Sequence, residues 1–402
     1  SIIDPLGGWQ PLYNEDKNIV LIANGEIYNY IEIRQMLKDK GHNFRTKSDC
    51  EVIPHLYEEY GIDCVKHLRG MFALALWDVL NKRLLLARDR MGEKPLYVYE
   101  DKDFLLFSSE LRSIMSSGLI KPLLSPNSTH LYFHYQYIPE PMTAVEGVYR
   151  LLAANILLLD TNEWSITKNC YWRMEDVEPI KGEPGDEIKR QLEEISSIVI
   201  RSDVPIGVAL SGGLDSSIVA AISAKKYPGT IHAFSVGYPG HPPYDEREEA
   251  KALADHLKMP FFDVELTVND MTDFFPELVL CRDEPIADIS GYGYYAVMKL
   301  AKEHDVPVML QGHGGDELFW GYSWLSRAVS ESIKKIDPDY KRAHLLLDAS
   351  VNLFPSLSSL RSVARWAIRL GFGIPDFLHN ISLHTKADEL IFYNLTPFDA
   401  KM

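Results

Sequence analysis

The first half of the chain alternates short apolar runs with polar turns, which is the pattern of β-strands. It predicts strands over residues 18–23, 71–77, 83–87 and 104–108, and the apolar start at residues 1–4 also has the pattern of a strand. Two stretches with apolar residues at helical spacing, residues 30–40 and 50–60, interrupt these strands. Layers of strands and helices are therefore favoured over a sandwich built of strands alone.

The second half of the chain has a different rhythm, which starts after a short linker. Residues 181–185 are rich in charge, glycine and proline, and Asp186 is placed to cap a following helix. The apolar positions at helical spacing that predict the buried face of that helix are Ile188, Leu192, Ile195 and Val199.

Short β-branched or aromatic runs then alternate with helical stretches. The predicted strands cover residues 204–210, 231–237, 261–266 and 306–310, and the predicted helices include residues 216–226 and 245–257. This alternation predicts a parallel sheet with crossover helices. Ligands of such sheets bind at the carboxyl ends of the strands, so we expect the chemistry of this half at those ends.

Composition and charge exclude several classes of function. The length of 402 residues suggests two domains, and 46% hydrophobic with 24% charged residues is typical of a globular protein. No apolar run is long enough to cross a bilayer, and the net charge of -16 disfavours contact with a phosphate backbone. We therefore expect neither a membrane nor a nucleic acid as partner.

Cysteine and histidine spacing gives no sign of a metal. The four cysteines are widely separated, which argues against a zinc site and a disulfide framework and favours the cytoplasm. The scattered histidines have no metal-ligand spacing, so we interpret them as ordinary core or surface residues.

A glycine-rich loop follows the predicted strand that ends at Leu210. Its sequence, Ser-Gly-Gly-Leu-Asp-Ser-Ser, occupies residues 211–217 and leads into a helix. Gly212 and Gly213 let the backbone approach oxygen atoms closely, and the helix N-terminus supplies partial positive charge. The hydroxyl donors are Ser211, Ser216 and Ser217. Because the loop has no lysine, it is not a Walker A motif; Asp215 is interpreted as a ligand for Mg²⁺ on pyrophosphate, with a helix-capping turn as the alternative.

This loop resembles the loop of the ATP pyrophosphatases, in the form found in glutamine-dependent asparagine synthetases. Segments that resemble the amidotransferase domain of that family are residues 24–29, 48–52, 69–73, 88–90 and 95–97. Together these motifs are more specific than any one alone, and the resemblance extends from residue 1 to about residue 322. It implies an α+β N-terminal nucleophile-type sandwich domain over residues 1–175. An α/β parallel-sheet domain of the ATP pyrophosphatase, adenine nucleotide alpha hydrolase-like class would follow over residues 186–402.

The resemblance also implies a reaction and a glutamine site. Glutamine would release ammonia in the first domain, ATP would adenylate a carboxylate in the second, and ammonia would displace AMP, with aspartate as the default acceptor. Asn24 and Gly25 would bind glutamine and form the oxyanion hole, while Glu26 and Asp49 would hold the glutamine α-amino group. Without the resemblance, Asn24 and Gly25 indicate only a turn with positive φ.

The family's nucleophile is an N-terminal cysteine, which is not among these residues. Ser1 has the free amine that can activate a terminal hydroxyl, but residues 1–4 match a family strand well beyond the nucleophile, so this role is not favoured. Cys50 lies in a segment that matches substrate binding and is best explained by packing.

Further contacts with ATP and Mg²⁺ follow from the resemblance in the second domain. The residues expected to contact ATP outside the loop are Leu210, Val236, Gln311 and Gly312. The first two would border adenine through their backbone, although both are equally good core residues. Asp316 is the predicted second Mg²⁺ ligand, and its alternative role is to cap a helix that begins at Glu317.

Two departures from the family concern the acceptor. His313 replaces an acidic residue and Gln311 replaces a small one, where the carboxylate would be presented. His313 can take up a proton near neutral pH, so we assign it a catalytic role. Two alternatives therefore stay open. The enzyme would amidate a different acid, such as a sugar acid or a natural-product intermediate, or close a ring. Otherwise the chain is a non-catalytic nucleotide-binding or regulatory relative.

The remaining predictions concern an acidic segment, the last part of the chain and the oligomeric state. The acidic residues Asp283, Glu284 and Asp288 either face the acceptor or form a solvated loop. Residues 334–402 have the pattern of helices, and a homodimer stays open.

Overall fold

The computed structural model describes residues 2–288, 290–319, 321–322 and 329, and the chain forms two compact units, Ser1–Gly312 and His313–Met402. The strands are β1 Leu12–Tyr13, β2 Ile19–Ile27, β3 Gly70–Asp78, β4 Arg83–Arg88, β5 Tyr97–Glu100, β6 Leu105–Ser108, β7 Val148–Arg150, β8 Asn155–Asp160, β9 Ser165–Cys170, β10 Ile206–Ala209, β11 His232–Gly237, β12 Phe261–Glu265 and β13 Val308–Leu310. The α-helices are α1 Tyr30–Asp39, α2 Val52–Tyr60, α3 Cys64–His67, α4 Leu111–Ser116, α5 Pro126–Tyr135, α6 Pro184–Val199, α7 Leu214–Lys226, α8 Arg247–His256, α9 Val268–Cys281, α10 Gly291–Glu303 and α11 Gly315–Phe319.

The first domain is a sandwich whose layers run helix, sheet, sheet, helix. Its larger antiparallel sheet has the order β1-β2-β3-β4-β8-β9, and its smaller one has the order β6-β5-β7. Because successive residues of β3 point to opposite faces, Phe72 packs toward α1 and α2 while Ala73 and Ala75 face the smaller sheet. Helix α4 covers the outer face of the smaller sheet with Leu111 and Ile114. The predicted α+β sandwich is confirmed.

The second domain is built on a parallel sheet with the order β12-β11-β10-β13. Helices α7 and α8 cover one face, where Ala220 and Ala250 pack against Val208 of β10. Helix α10 covers the other face, where Val297 packs against Phe234 of β11. Helices on both faces of a parallel sheet confirm the predicted α/β class.

Two predicted elements of the first domain differ from the structure. Residues 2–4 are not a strand, and Ser1 lies outside the described residues. The predicted helix over residues 50–60 divides into a 3₁₀ turn, Asp49–Glu51, and helix α2. Shorter 3₁₀ segments also occur at Gly61–Asp63 and Met174–Asp176.

Helix α6 differs from two predictions, one about its N-cap and one about its buried face. It begins at Pro184 with Glu183 as its N-cap, so Asp186 lies within its first turn and is not the cap. Proline favours the first helical position because its φ is already helical and its missing N–H would have no partner there. The apolar face of α6 is only half-buried, since no residue of the helix is buried and Ile195 is 37% exposed.

The predicted helices over residues 334–402 lie outside the described residues. Across the part of the chain that the structure describes, no helix is both long enough and apolar enough to cross a membrane.

Candidate functional site

Asn24, Gly25 and Glu26 follow one another inside strand β2, where they pair with residues 71–73 of β3. The alternative interpretation of Asn24 and Gly25 as a turn with positive φ is therefore wrong. Hydrogen bonding across the sheet fixes the backbone of this segment, and Asn24 is exposed at its surface. Its amide Nδ2 lies 3.3 Å from the hydroxyl of Ser109, which follows β6.

Two buried carboxylates lie close together here, Glu26 in strand β2 and Asp49 next to it. Glu26 is 8% exposed and Asp49 is 4% exposed. Asp49 begins the 3₁₀ turn before α2, and its Oδ2 accepts a 2.7 Å hydrogen bond from the backbone N–H of Ile27. Burial and the neighbouring Asp49 carboxylate raise the pKa of Glu26 to about 7, against a smaller opposing effect of Lys94. Burial also raises the pKa of Asp49. A pair of buried carboxylates with little compensation attracts a cationic group.

Cys50 has the environment of a packing residue, as predicted. It is 3% exposed, and burial with the adjacent Asp49 raises the pKa of its thiol well above the ordinary value. A thiol held in its protonated form is a poor nucleophile.

The loop over residues 211–217 connects β10 to α7 at the carboxyl edge of the parallel sheet. Ser211 and Ser216 hydroxyl oxygens lie 3.0 Å apart, and the backbone N–H of Gly213 donates to Ser211 Oγ at 3.2 Å. Gly212 has a φ of +79°, and a Cβ there would lie 3.0 Å from Cβ of Glu249. The loop thus has the compact form that glycine permits, and Asp215 lies in the first turn of α7.

Gly312 contacts this loop from the neighbouring strand. Strands β11 and β13 flank β10 on opposite sides, so the sheet reverses its order of connection beside β10. Crevices at such a reversal are the usual ligand sites of parallel sheets. A Cβ at Gly312, just after β13, would lie 2.7 Å from the backbone nitrogen of Ser216 and 3.0 Å from Cβ of Asp215. The structure therefore brings together two of the predicted ATP segments, residues 211–217 and Gly312.

The other predicted ATP residues are less distinctive. Leu210 is 2% exposed, and its backbone N–H donates to the carbonyl of Phe234 at 2.8 Å, so this N–H is already used within the sheet. Val236 lies in β11 opposite Val264 of β12 and is half-buried, as is Gln311 after β13. Ser217 lies in the first turns of α7, where its N–H donates to the carbonyl of Gly213 at 3.1 Å.

Asp316 and His313 belong to the second compact unit. Helix α11 begins at Gly315, so the alternative in which Asp316 caps a helix starting at Glu317 is wrong. Glu317 lies inside this helix, and its side chain bonds back to the helix start, since its Oε2 accepts from the backbone N–H of Gly314 at 2.9 Å. His313 is exposed, and the roles of His313 and Asp316 stay predictions.

The acidic segment at Asp283 and Glu284 has a role that neither sequence interpretation anticipated. Asp283 accepts from the backbone N–H of Leu111 and pairs with Arg112, each at 2.6 Å. Glu284 is 6% exposed and accepts from the backbone N–H of Ala144 at 3.1 Å. Both side chains therefore contact the first domain. Asp288 accepts from Ser290 instead.

Two neighbours of the residues predicted to bind glutamine were missed from the sequence. They are Ser109, which contacts Asn24, and Lys94, which affects Glu26. Ser109 is 85 residues from Asn24, and nothing in its local sequence indicates the contact. Lys94 belongs to a loop held by Asp89, which is 1% exposed and accepts hydrogen bonds from several backbone N–H groups of that loop.

Comparison with known proteins gives a match to each of two family models. The fold is an α+β sandwich followed by a parallel α/β sheet with a glycine-rich loop at its carboxyl edge. Residues 1–172 match the family model of the glutamine amidotransferase domain, and residues 187–380 match that of asparagine synthase. The chain belongs to the family of glutamine-dependent asparagine synthetases.

Similar relatives come from archaea, bacteria and plants. A putative glutamine-hydrolysing asparagine synthetase 2 of Methanocaldococcus jannaschii is 35% identical over 320 residues, which cover 77% of this chain and 61% of that protein. Glutamine-hydrolysing asparagine synthetase 1 of Bacillus subtilis is 36% identical, with 80% and 51% covered. Glutamine-hydrolysing asparagine synthetase 1 of Arabidopsis thaliana is 32% identical, with 88% and 58% covered. The chain thus spans 51% to 61% of the length of these relatives.

The raised pKa of Glu26 predicts a pH-dependent loss of stability. Because its pKa increases from 4.5 to about 7 on folding, the group lowers stability as the pH rises from 4.5 through 7. We expect Glu26→Gln to raise the free energy of unfolding at pH 8 by about 1–3 kcal/mol, with little gain at pH 4.5. Urea denaturation at both pH values measures this, with the exposed Glu146→Gln as control. Equal effects of Glu26→Gln at the two pH values would contradict the assignment.

The contact at Gly312 predicts that a methyl group is not tolerated there. Gly312→Ala would press on the backbone of Ser216, so we expect a loss of about 1–3 kcal/mol in unfolding free energy and weaker ATP binding. Gly293→Ala is a matched control. Gly293 lies in helix α10, and a Cβ there would have no neighbour nearer than 4.0 Å. Urea denaturation and nucleotide titration give the two readouts. Unchanged ATP affinity in a folded Gly312→Ala variant would count against the site.

Proposed function

We propose that this protein is an ATP-dependent carbon–nitrogen ligase that uses glutamine as amido donor. The observation that carries the proposal is the contact of Gly312 with the loop over residues 211–217 beside β10, in a chain whose first domain is of the amidotransferase type. Small residues, hydroxyl donors and a helix N-terminus at the carboxyl edge of a parallel sheet suit the phosphates of ATP.

The proposed reaction has two steps in the second domain. A carboxylate oxygen of the acceptor attacks the α-phosphorus of ATP, and the bond from that phosphorus to pyrophosphate breaks. Ammonia then attacks the carbonyl carbon of the acyl-adenylate, a C–N bond forms, the C–O bond to AMP breaks, and the nitrogen loses a proton. Adenylation supplies a good leaving group where a carboxylate has none, and positioning of ammonia raises its effective concentration.

The donor set of the loop fits a magnesium-bound triphosphate. Backbone N–H groups and the hydroxyls of Ser211, Ser216 and Ser217 suit phosphate oxygens, and the Asp215 carboxylate suits Mg²⁺. When bound, Mg²⁺ would neutralise the charge of the departing pyrophosphate. Asp316 stays the candidate for a second ligand on sequence grounds, and Leu210, Val236 and Gln311 stay candidates for contacts with the nucleotide.

The first domain is proposed to bind glutamine at β2. The buried Glu26 and Asp49 carboxylates suit the α-ammonium group, and Asn24 with Gly25 would stabilise the oxyanion that forms during amide cleavage.

Aspartate is the proposed acceptor because the relatives are named as asparagine synthetases. His313 and Gln311 differ from the family where the acceptor would bind, and they favour a different acid as the second candidate. Pyrophosphate release with ATP, ammonium chloride and a set of acids separates the two, since higher turnover with another acid would replace aspartate. A cytoplasmic location and a homodimer are part of the same proposal.

Asp215→Ala tests the nucleotide site directly. We expect pyrophosphate release with ATP, aspartate and ammonium chloride to fall at least about a hundredfold. The reason is that the Mg²⁺ that would neutralise the departing pyrophosphate would lose a protein ligand. The exposed Asp273→Asn on α9 is the matched control and should retain activity. Turnover by Asp215→Ala at the rate of the unmodified protein would refute the proposal.

Glutamine binding should depend on pH through Glu26. Since the pKa of Glu26 is about 7, its carboxylate form increases between pH 6 and pH 8, and the affinity for the glutamine ammonium group should rise over that interval. Glu26→Gln should bind at least about tenfold more weakly at pH 8 and lose the pH dependence. Calorimetric titration with L-glutamine measures both, with Glu146→Gln as control. A pH-dependent affinity that persists in Glu26→Gln would exclude this role.

A further inference from the structure

A cluster of two histidines and two glutamates lies in the first domain, away from both sites described above. It consists of Glu15, His42, His55 and Glu58, and we call it the His–Glu cluster. Glu15 lies in the turn between β1 and β2, His42 follows α1, and His55 and Glu58 are three residues apart on α2. One ligand atom from each side chain lies within 4.8 Å of all the others. The interpretation of these histidines as ordinary core or surface residues therefore needs revision.

The distances within the cluster match those between ligands of one tetrahedral ion. Zinc bonds to nitrogen and oxygen are about 2.0–2.2 Å, so the ligand atoms of a tetrahedral site lie roughly 3.3–3.6 Å apart. The two Nδ1 atoms of His42 and His55 are 3.3 Å apart. Glu15 oxygens lie 3.4 Å from His42 Nδ1 and 3.0 Å from His55 Nδ1. Glu58 Oε2 lies 3.7 Å from each of these nitrogens.

Outer hydrogen bonds orient three of the four side chains toward the common centre. Glu58 Oε1 accepts from the amide of Asn14 at 2.8 Å, which leaves Oε2 facing the histidines. Glu15 Oε1 accepts from the backbone N–H of Asn43 at 2.7 Å. Asn14 is itself 1% exposed and accepts from the backbone N–H of Ile19, so its position is fixed. Outer bonds of this kind hold metal ligands in place in known sites.

His42 also hydrogen-bonds to a third glutamate outside the cluster, Glu59. Its Nε2 lies 3.3 Å from a carboxylate oxygen of Glu59, and since a carboxylate only accepts, this nitrogen carries the hydrogen. The other ring nitrogen, Nδ1, faces His55 and Glu15 within the cluster. The side chain of His55 is 1% exposed, and its Nδ1 also faces the cluster. Two imidazoles and two carboxylates around one centre are a donor set that suits a divalent cation.

We propose that the His–Glu cluster binds one divalent transition-metal ion, with Zn²⁺ favoured by two imidazole and two carboxylate ligands in tetrahedral arrangement. The ion would join the β1–β2 turn, the segment after α1 and helix α2. Asp49 lies between His42 and His55 in the chain, in the 3₁₀ turn that leads into α2. The site would therefore be structural, and it would fix the segment that carries Asp49.

Metal content and thermal stability test the proposal without any assay of turnover. The full chain is treated with EDTA, dialysed and titrated with ZnCl₂, and bound zinc is counted by mass spectrometry under native conditions. We expect one ion per chain and a rise in Tm of roughly 5 °C at a hundredfold excess over Kd. His42→Gln and Glu58→Gln should each weaken zinc binding at least about tenfold. Both side chains are partly exposed, so these variants avoid the buried His55.

A control variant disrupts a second pair of neighbouring histidines in the described part of the chain. His130 and His134 are exposed on helix α5 with ring centroids 6.5 Å apart, and they could take up zinc from solution. His134→Gln should bind zinc and gain stability like the unmodified chain. No zinc on the unmodified chain, equal affinity in His42→Gln and Glu58→Gln, or loss of binding only in His134→Gln would each overturn the proposal.

Discussion

The close approach of Gly312 to the start of α7 is the constraint on which the nucleotide site depends. Strand β10 lies between β11 and β13, so the chain leaves β10 toward one side and returns on the other. The loop over residues 211–217 and Gly312 therefore meet at one sheet edge, although about a hundred residues separate them in sequence. Any side chain at Gly312 would occupy the space beside Asp215 and Ser216. The glycine is thus required by packing between two strand ends, and the crevice follows from the strand order.

Buried carboxylates in the first domain divide into two kinds according to their partners. Asp89 accepts hydrogen bonds from backbone N–H groups of Phe72, Met91, Glu93 and Lys94, and this bonding compensates its burial. Glu26 is buried beside a second carboxylate, and its pKa rises to about 7. A buried carboxylate whose oxygens accept several backbone hydrogen bonds holds a loop in place. A buried carboxylate with few such hydrogen bonds is stabilised when a cation binds to it. The contrast supports a structural role for Asp89 and a ligand-binding role for Glu26.

The sequence was a good guide to the class of each domain, and a poorer one to contacts across the chain. Alternation and strand–helix rhythm predicted β2, β3 and the parallel strands, because burial on one or both faces leaves a regular pattern. Short strands such as β1 and β7 were missed because two or three residues carry no period. The 3₁₀ turn at Asp49–Glu51 was read as helix, since both place apolar residues at similar spacing.

Contacts between distant segments were beyond reach from one sequence. The His–Glu cluster joins residues from three separate elements, so no local spacing reveals it. The loop over residues 211–217 was found because its ligand donors are consecutive in the chain. Asp283 and Glu284 were predicted either to face the acceptor or to form a solvated loop, whereas their partners Leu111, Arg112 and Ala144 lie in the other domain.

Those interdomain contacts bear on how the two halves of the proposed reaction are joined. Asp283 binds the first residue of α4, two residues after Ser109, which contacts Asn24. Arg201 of the second domain donates to the carbonyl of Tyr28 at 2.9 Å, two residues beyond Glu26. Polar contacts of this kind between domains permit relative motion more readily than a large apolar interface. Both contacts adjoin residues proposed to bind glutamine. A shift of the second domain against the first would therefore move the backbone next to the glutamine site. The core of the sandwich would move later.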